Sequence, residues 1–179
     1  MSAPDADAPE QVVWQGRFLT AKTRGRWEYV GRVGGMRAAV ILAIDADGCV
    51  ILVDQYRVPL GRHCLELPAG LVGDDDAGES VEQAAARELE EETGYRAARI
   101  ELLGEFYSSP GMVSECFTLV RAHGIERVGA GGGTADEGIT VHRVPLNDIA
   151  AYVAARRAEG MAVDVKILML LAGAIVPSV

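Results

Sequence analysis

Cysteine is scarce in this chain of 179 residues. Cys49, Cys64 and Cys116 lie far apart and never in CxxC spacing. That excludes a disulfide framework and a cysteine zinc site, and leaves reduced, buried thiols in a cytoplasmic protein as the expectation. Basic residues are also in short supply: 17 Lys and Arg stand against 26 Asp and Glu, a formal net charge of -9. Nucleic-acid binding needs clustered cations and is not expected. No apolar run approaches the ~20 residues of a membrane helix. The opening MSAPDADAPE is polar and acidic, lacks the basic and apolar regions of a signal peptide, and reads as a disordered tail over residues 1–10. No serine or cysteine nucleophile motif is present. His63, His123 and His142 show no pairing pattern. The stretch GAGGG at 129–133 is not followed by a helix opening with GK[ST], which excludes a P-loop.

What is there suits one folded unit. Hydrophobic residues make up 49% and charged residues 24%, an ordinary balance for a soluble domain. Segments VVWQGRFLTAKT and RWEYVGRV, separated at Arg24-Gly25, predict an N-terminal hairpin. MRAAVILAID and CVILVDQYR flank Asp47-Gly48, a hairpin turn signal. HCLELPAGLV reads as a short strand running into a loop. A helix is expected from about Ser80 to Thr93, stopped by Gly94. Strands follow at RIELLGEFYSS, ECFTLVRAHG and ITVHRV, with the flexible glycine-rich loop GAGGGTADEG before the last. LNDIAAYVAARRAEG predicts a helix, and another opens near Asp164 as N-cap. The pattern implies a mixed, largely antiparallel sheet with helices on its faces.

The helix ends in ARELEEETGY, which piles glutamates where the helix dipole disfavours them. At about 100° per residue, Val81, Ala84, Ala85 and Leu89 form an apolar stripe. Glu88 and Glu92 fall on that same stripe and Glu91 on its edge, whereas Glu82 and Glu90 point away. Carboxylates on an inward face cost free energy unless something positive joins them. Hard divalent cations take oxygen ligands, and Mg²⁺ combines carboxylates with substrate phosphates. The i, i+3, i+4 spacing is expected to gather the three carboxylates around a metal.

Gly73, Glu79, Arg87, Glu88, Leu89, Glu91, Glu92, Gly94 and Tyr95 also fit a known box, GX5EX7REUXEEXGU. In these residues the chain resembles the Nudix hydrolases. The box glycine of the ADP-ribose-type members usually belongs to a PAG, here Pro68-Ala69-Gly70. Gly70 is then the structural counterpart, and LVGDDDAG carries about three extra residues. The resemblance implies an α/β/α sandwich with a mixed sheet, and hydrolysis of a nucleoside diphosphate linked to another group. It implies Glu88 and Glu92 as main Mg²⁺ ligands, Mn²⁺ being a substitute, with Glu91 contributing and Ala69 offering its carbonyl. Arg87 is expected to orient a box glutamate and Glu79 to support the loop.

Beyond the box, RWEYVGR, VDQYRVPLGRHCLELPAGL, SSPG and AVDVKILML look like the ADP-ribose pyrophosphatases. That likeness implies Trp27 stacking on adenine, Glu28 bonding its edge, Arg32 and Arg57 on phosphates or ribose, and Glu66, Leu71 and Pro110 at the substrate. It also implies a homodimer built on the N-terminal hairpin, residues 11–35, ahead of a catalytic domain at 36–179. The catalytic base is expected from the glycine-rich loop, Glu137 first and Asp136 second. The leading expectation is Mg²⁺-dependent cleavage of ADP-ribose to AMP and ribose 5-phosphate. Hydrolysis of another nucleoside diphosphate sugar, such as GDP-mannose, and a non-catalytic binding module are the alternatives.

Overall fold

A computed structural model of the chain describes residues 3–35, 37–73, 78–134 and 137–175. The strands are β1 (Glu10–Gln15), β2 (Leu19–Arg24), β3 (Trp27–Arg32), β4 (Arg37–Ala43), β5 (Cys49–Arg57), β6 (Arg62–Glu66) and β7 (Ala69–Val72). Helix α1 (Val81–Thr93) follows, then β8 (Tyr95–Arg96), β9 (Arg99–Tyr107), β10 (Cys116–His123), β11 (Glu126–Arg127) and β12 (Thr140–Pro145). Helix α2 (Ile149–Ala158), β13 (Ala162–Val163) and the short α3 (Ala172–Ile175) close the chain.

The N-terminal segment is a three-stranded meander, β1-β2-β3, rather than a simple hairpin. The first predicted strand breaks at Gly16–Phe18, where the Gly16 amide bonds the Leu19 carbonyl. Residues 3–9, expected as a tail, make two turns, and Asp5 pairs with Arg26 at 2.9 Å. The meander meets the body through a bridge between Val30 and Val113.

The Asp47-Gly48 turn forms, with Gly48 at φ 76°, but its flanking strands separate after one bridge, Ile44 to Val50. β4 joins the sheet ordered β7-β4-β10-β9, and β5 joins the sheet ordered β12-β5-β6-β13. β4 runs parallel to β10 and β13 parallel to β6, so both sheets are mixed. HCLELPAGLV splits at Leu67-Pro68 into β6 and β7, which belong to different sheets. Proline has no amide for a ladder and suits that crossing point.

Alternation along β4 feeds two cores. Val40 and Leu42 pack with Leu52, Leu65, Val153 and Ile167. Ala39, Ile41 and Ala43 pack with Ile51, Ala85 and Leu89 under α1. A strand buried on both faces is apolar there, as β4 is after its exposed Arg37. Each fully buried aliphatic side chain contributes about 1.5–3 kcal/mol.

Helix α1 has the predicted span. Ser80 caps it in a reciprocal box with Gln83, and Gly94, at φ 72°, ends it. Asp164 caps as expected, through the Lys166 amide, but it opens a 3-10 turn, Val165–Met169, rather than a full helix.

Candidate functional site

Four elements converge on one cleft: the second half of α1, the start of β7, and the ends of β5 and β6. Its volume is about 410 Å³. Ala84, Ala85 and Leu89 are buried, as the helical spacing predicts, and Glu92 continues their stripe at 9% exposure. Glu88 and Glu92 face the cleft beside Ala69, Gly70 and Leu71, and Glu137 enters from the glycine-rich loop. Arg32 and Arg57 line it as well.

The local packing is tight where β7 crosses the helix. A Cβ built on Gly70 would lie 1.9 Å from the Glu88 carboxyl carbon, so only glycine lets that side chain pass. The Ala69 amide donates to Glu92 Oε2 at 3.0 Å. The expectation for Ala69 concerned its carbonyl; here its amide holds the carboxylate. Gly73 also has a role: it adopts φ 81°, and its amide donates to Glu79 at 3.3 Å. The two glycines thus divide the work, Gly70 beside Glu88 and Gly73 at Glu79.

Arg87 lies behind this wall. It donates to Glu79 at 3.0 Å, to Glu88 at 2.9 Å and to Glu91 at 3.2 Å. The Glu79 hydrogen bond raises the Arg87 pKa, and the same bond lowers that of Glu79. The expected gathering of three box carboxylates is only partly met. Glu91, 53% exposed, is turned to Arg87 and does not line the cleft. Among the described residues no three His, Cys, Asp or Glu side chains stand together as they lie so as to hold an ion; Arg87 bonds one oxygen each of Glu88 and Glu91.

Electrostatically the cleft is acid-rich. Burial, followed by the neighbouring Glu88 and Glu137 carboxylates, pushes Glu92 up to about 8 against the pull of the Ala69 amide and Arg57. Burial also raises Glu88, with Arg87 opposing. A site of several carboxylates whose charge is disfavoured fits a hard divalent cation, which takes oxygen donors and removes the repulsion.

Arg57 is held bidentately by Glu66, at 2.6 and 2.8 Å, and Arg32 is bonded to Glu115. Sequence reasoning did not single out Gln55, Ser108, Glu115, Phe117 or Lys166, all of which line the cleft. Gln55, Ser108 and Lys166 lay in segments with a family likeness; Glu115 and Phe117 sit in a loop and a strand with no motif.

Trp27, Glu28 and Pro110 are not brought to this cleft. Trp27 and Pro110 share a separate surface pocket with Arg24 and Tyr29, and Glu28 lines a third with Lys22 and Met112. Consecutive strand residues point to opposite faces, so Trp27 and Glu28 do not meet one ligand within a single copy. The expected second base, Asp136, lies outside the described residues. The histidines, patternless in sequence, do pair: His63 and His142 both meet buried Asp54, at 2.7 and 2.6 Å, and His123 meets Glu101 at 2.6 Å.

Among the described residues no helix is long and apolar enough to cross a membrane. The chain is 35% identical over 149 residues to putative nudix hydrolase 2 of Caenorhabditis elegans, covering 69% of this chain and 66% of that protein. It is 41% identical over 126 residues to the ADP-sugar pyrophosphatase of Mus musculus, covering 66% and 56%. The chain thus spans less than two thirds of the mouse protein's length. A solved structure described as an ADP compounds hydrolase superposes with a TM-score of 0.69 at 25% identity, over 93% of this chain and 91% of that one. The NUDIX domain model matches residues 34–163, a stretch that contains Glu88, Glu92 and Glu137 of the cleft, and the chain belongs to the NUDIX domain family.

Proposed function

We propose that this protein is a divalent-cation-dependent hydrolase of nucleoside diphosphate sugars, with ADP-ribose as its substrate and AMP and ribose 5-phosphate as products. One observation carries the reading: Glu88, Glu92 and Glu137 share a cleft with Arg32, Arg57 and Lys166. Carboxylates and cations lining one cleft suit a divalent cation together with a pyrophosphate. The names of the mouse relative and of the ADP compounds hydrolase support the nucleotide class.

Glu88 and Glu92 would hold Mg²⁺, or Mn²⁺ in its place, with Glu91 and the Ala69 carbonyl contributing. The bound ion supplies charge neutralisation and polarisation of the phosphoryl oxygens. Arg87 releases or retains Glu88 and Glu91 and so sets their orientation. Arg32 and Arg57 bind the phosphate oxygens, Arg57 aimed by Glu66. Glu137 takes a proton from the attacking water as the new P–O bond forms, and the anhydride P–O bond breaks with the second phosphate leaving. Leu71 walls the cleft beside Gly70.

The stacking contact assigned to Trp27, with Pro110 beside it, fits a homodimer in which the meander of one copy reaches the cleft of the other; Glu28 lies on the opposite face of that meander. Val12, Val13, Trp14 and Phe18 of that meander are each more than half exposed, a surface that a second copy would cover.

The test is phosphate release, coupled through alkaline phosphatase, on ADP-ribose, GDP-mannose and UDP-glucose, with and without Mg²⁺. Mg²⁺-dependent turnover of ADP-ribose that Glu92→Gln abolishes is the expected result. Preference for GDP-mannose would overturn the adenine reading and keep the chemistry. Binding without turnover would overturn hydrolysis in favour of a ligand-binding module.

A further inference from the structure

The loop that carries Glu137 is fastened at two places. At its first half, the Gly132 amide donates to the Glu92 carbonyl at 2.7 Å and the Gly133 amide to the Glu91 carbonyl at 3.0 Å. These are carbonyls of the last turn of α1, which has no partners for them within the helix. At its second half, Gln55 Nε2 donates to the Glu137 carbonyl at 3.2 Å. Gln55 is half-buried near the end of β5 and lines the cleft. The register explains the meeting: β12 begins at Thr140 opposite Asp54, so the chain just before β12 leaves the sheet beside Gln55.

Between these anchors Glu137 is oriented by its own turn. Its amide donates to the Thr134 carbonyl at 3.0 Å, and its Oε2 accepts from the Thr134 amide at 2.7 Å. The turn fixes the side chain relative to the loop, and the anchors fix the loop relative to the glutamate helix. The β12 ladder ties the chain to β5 only from Thr140 onward; the Gln55 side chain bonds the Glu137 backbone itself.

We infer that Gln55 is a positioning residue, latching the Glu137 backbone so that this carboxylate is held over the cleft beside Glu88 and Glu92. The inference rests on the reading of Glu137 as the base. Gln55 acts on the carbonyl of Glu137, not on its carboxylate, so it moves the base without altering its charge. A shift of this kind lowers the rate of the chemical step and leaves substrate binding alone.

The experiment compares Gln55→Met, of similar length without the donor, with wild type, using ADP-ribose and Mg²⁺ and measuring amide hydrogen exchange in the same samples. We expect kcat to fall about tenfold, the worth of one hydrogen bond, with KM within about twofold. The Glu137 amide should exchange faster. In a Glu137→Gln background, Gln55→Met should lower kcat no further. A raised KM with kcat retained would make Gln55 a substrate contact and overturn the latch. So would an equal loss in both backgrounds, or unchanged exchange. If Glu137→Gln alone keeps full activity, the base reading fails, and exchange at Glu137 still decides whether Gln55 holds the loop. Should Gln55→Met not fold, Gln55→Asn, which keeps the amide but shortens its reach, carries the same expectations.

Discussion

The Ala69 amide donates to the Glu92 carboxylate across 3.0 Å, and this is a bond between the strand wall and the helix wall of the cleft. It offers partial compensation to a carboxylate whose charge burial opposes. One amide does not replace a hydration shell. The free protein therefore keeps a proton on Glu92 at the point where a cation is proposed to sit.

That retained proton has a pH signature. The ordinary value for Glu92 is 4.5, and burial raises it to about 8 in the folded protein. Between those values the folded state holds a proton that the unfolded state has released. Stability of the metal-free protein should therefore fall as pH rises through this window, by about 1.4 kcal/mol per unit at the steepest. Glu92→Gln should flatten the slope, and Mg²⁺ should restore wild-type stability near pH 8. Denaturant titrations in chelator at several pH values check this; identical slopes in both proteins would sink it.

Gly70→Ala separates site from fold. The added methyl would collide with the Glu88 carboxyl end, which can swing away, rather than with backbone. Activity should fall about a hundredfold, with melting changed by only a few degrees, roughly 1 kcal/mol or less. Equal loss of activity in a variant that no longer melts cooperatively would mean that the strand, not Glu88, had moved.

Arg87→Ala should destabilise by about 1–3 kcal/mol. It strips Glu79, whose side chain is 10% exposed, of its guanidinium partner. Arg87→Lys should recover part of this, since an ammonium keeps the charge and loses the two-pronged contact. A full recovery by lysine, seen in thermal melts, would show that charge alone matters.

Subunit mixing tests the shared cleft. Trp27→Ala and Glu92→Gln should each be impaired alone. If Trp27 serves the partner, a re-associated mixture holds heterodimers with one intact cleft, and activity should return to roughly a quarter of wild type for random pairing. No recovery would place Trp27 and Glu92 in service of the same copy.

Helix α1 was legible because its information is local. Ser80, the spacing of Ala85 and Leu89, and Gly94 lie within the segment they define, and so does the inward turn of Glu88 and Glu92. The Asp47-Gly48 signal was local too, and the turn it predicts is present. What it did not carry is the fate of the strands beyond: β5 pairs with β6 and β12 because Ile51 and Leu52 each have a different core to fill, a matter of distant residues. Gln55 and the Asp54–His63–His142 group were hidden for the same reason. Their partners are long-range, and nothing in a strand's spacing names them.

The caps on α1 from Gly132 and Gly133 bear on how the molecule is made. The acidic end of the helix is closed by a segment that emerges only after β9 and β10 have been synthesised. Before that, the last turn has open carbonyls and crowded carboxylates, and the helix should fray there. The cleft is then among the last parts to mature, so a nascent or partly unfolded chain carries the glutamates without a working arrangement of them.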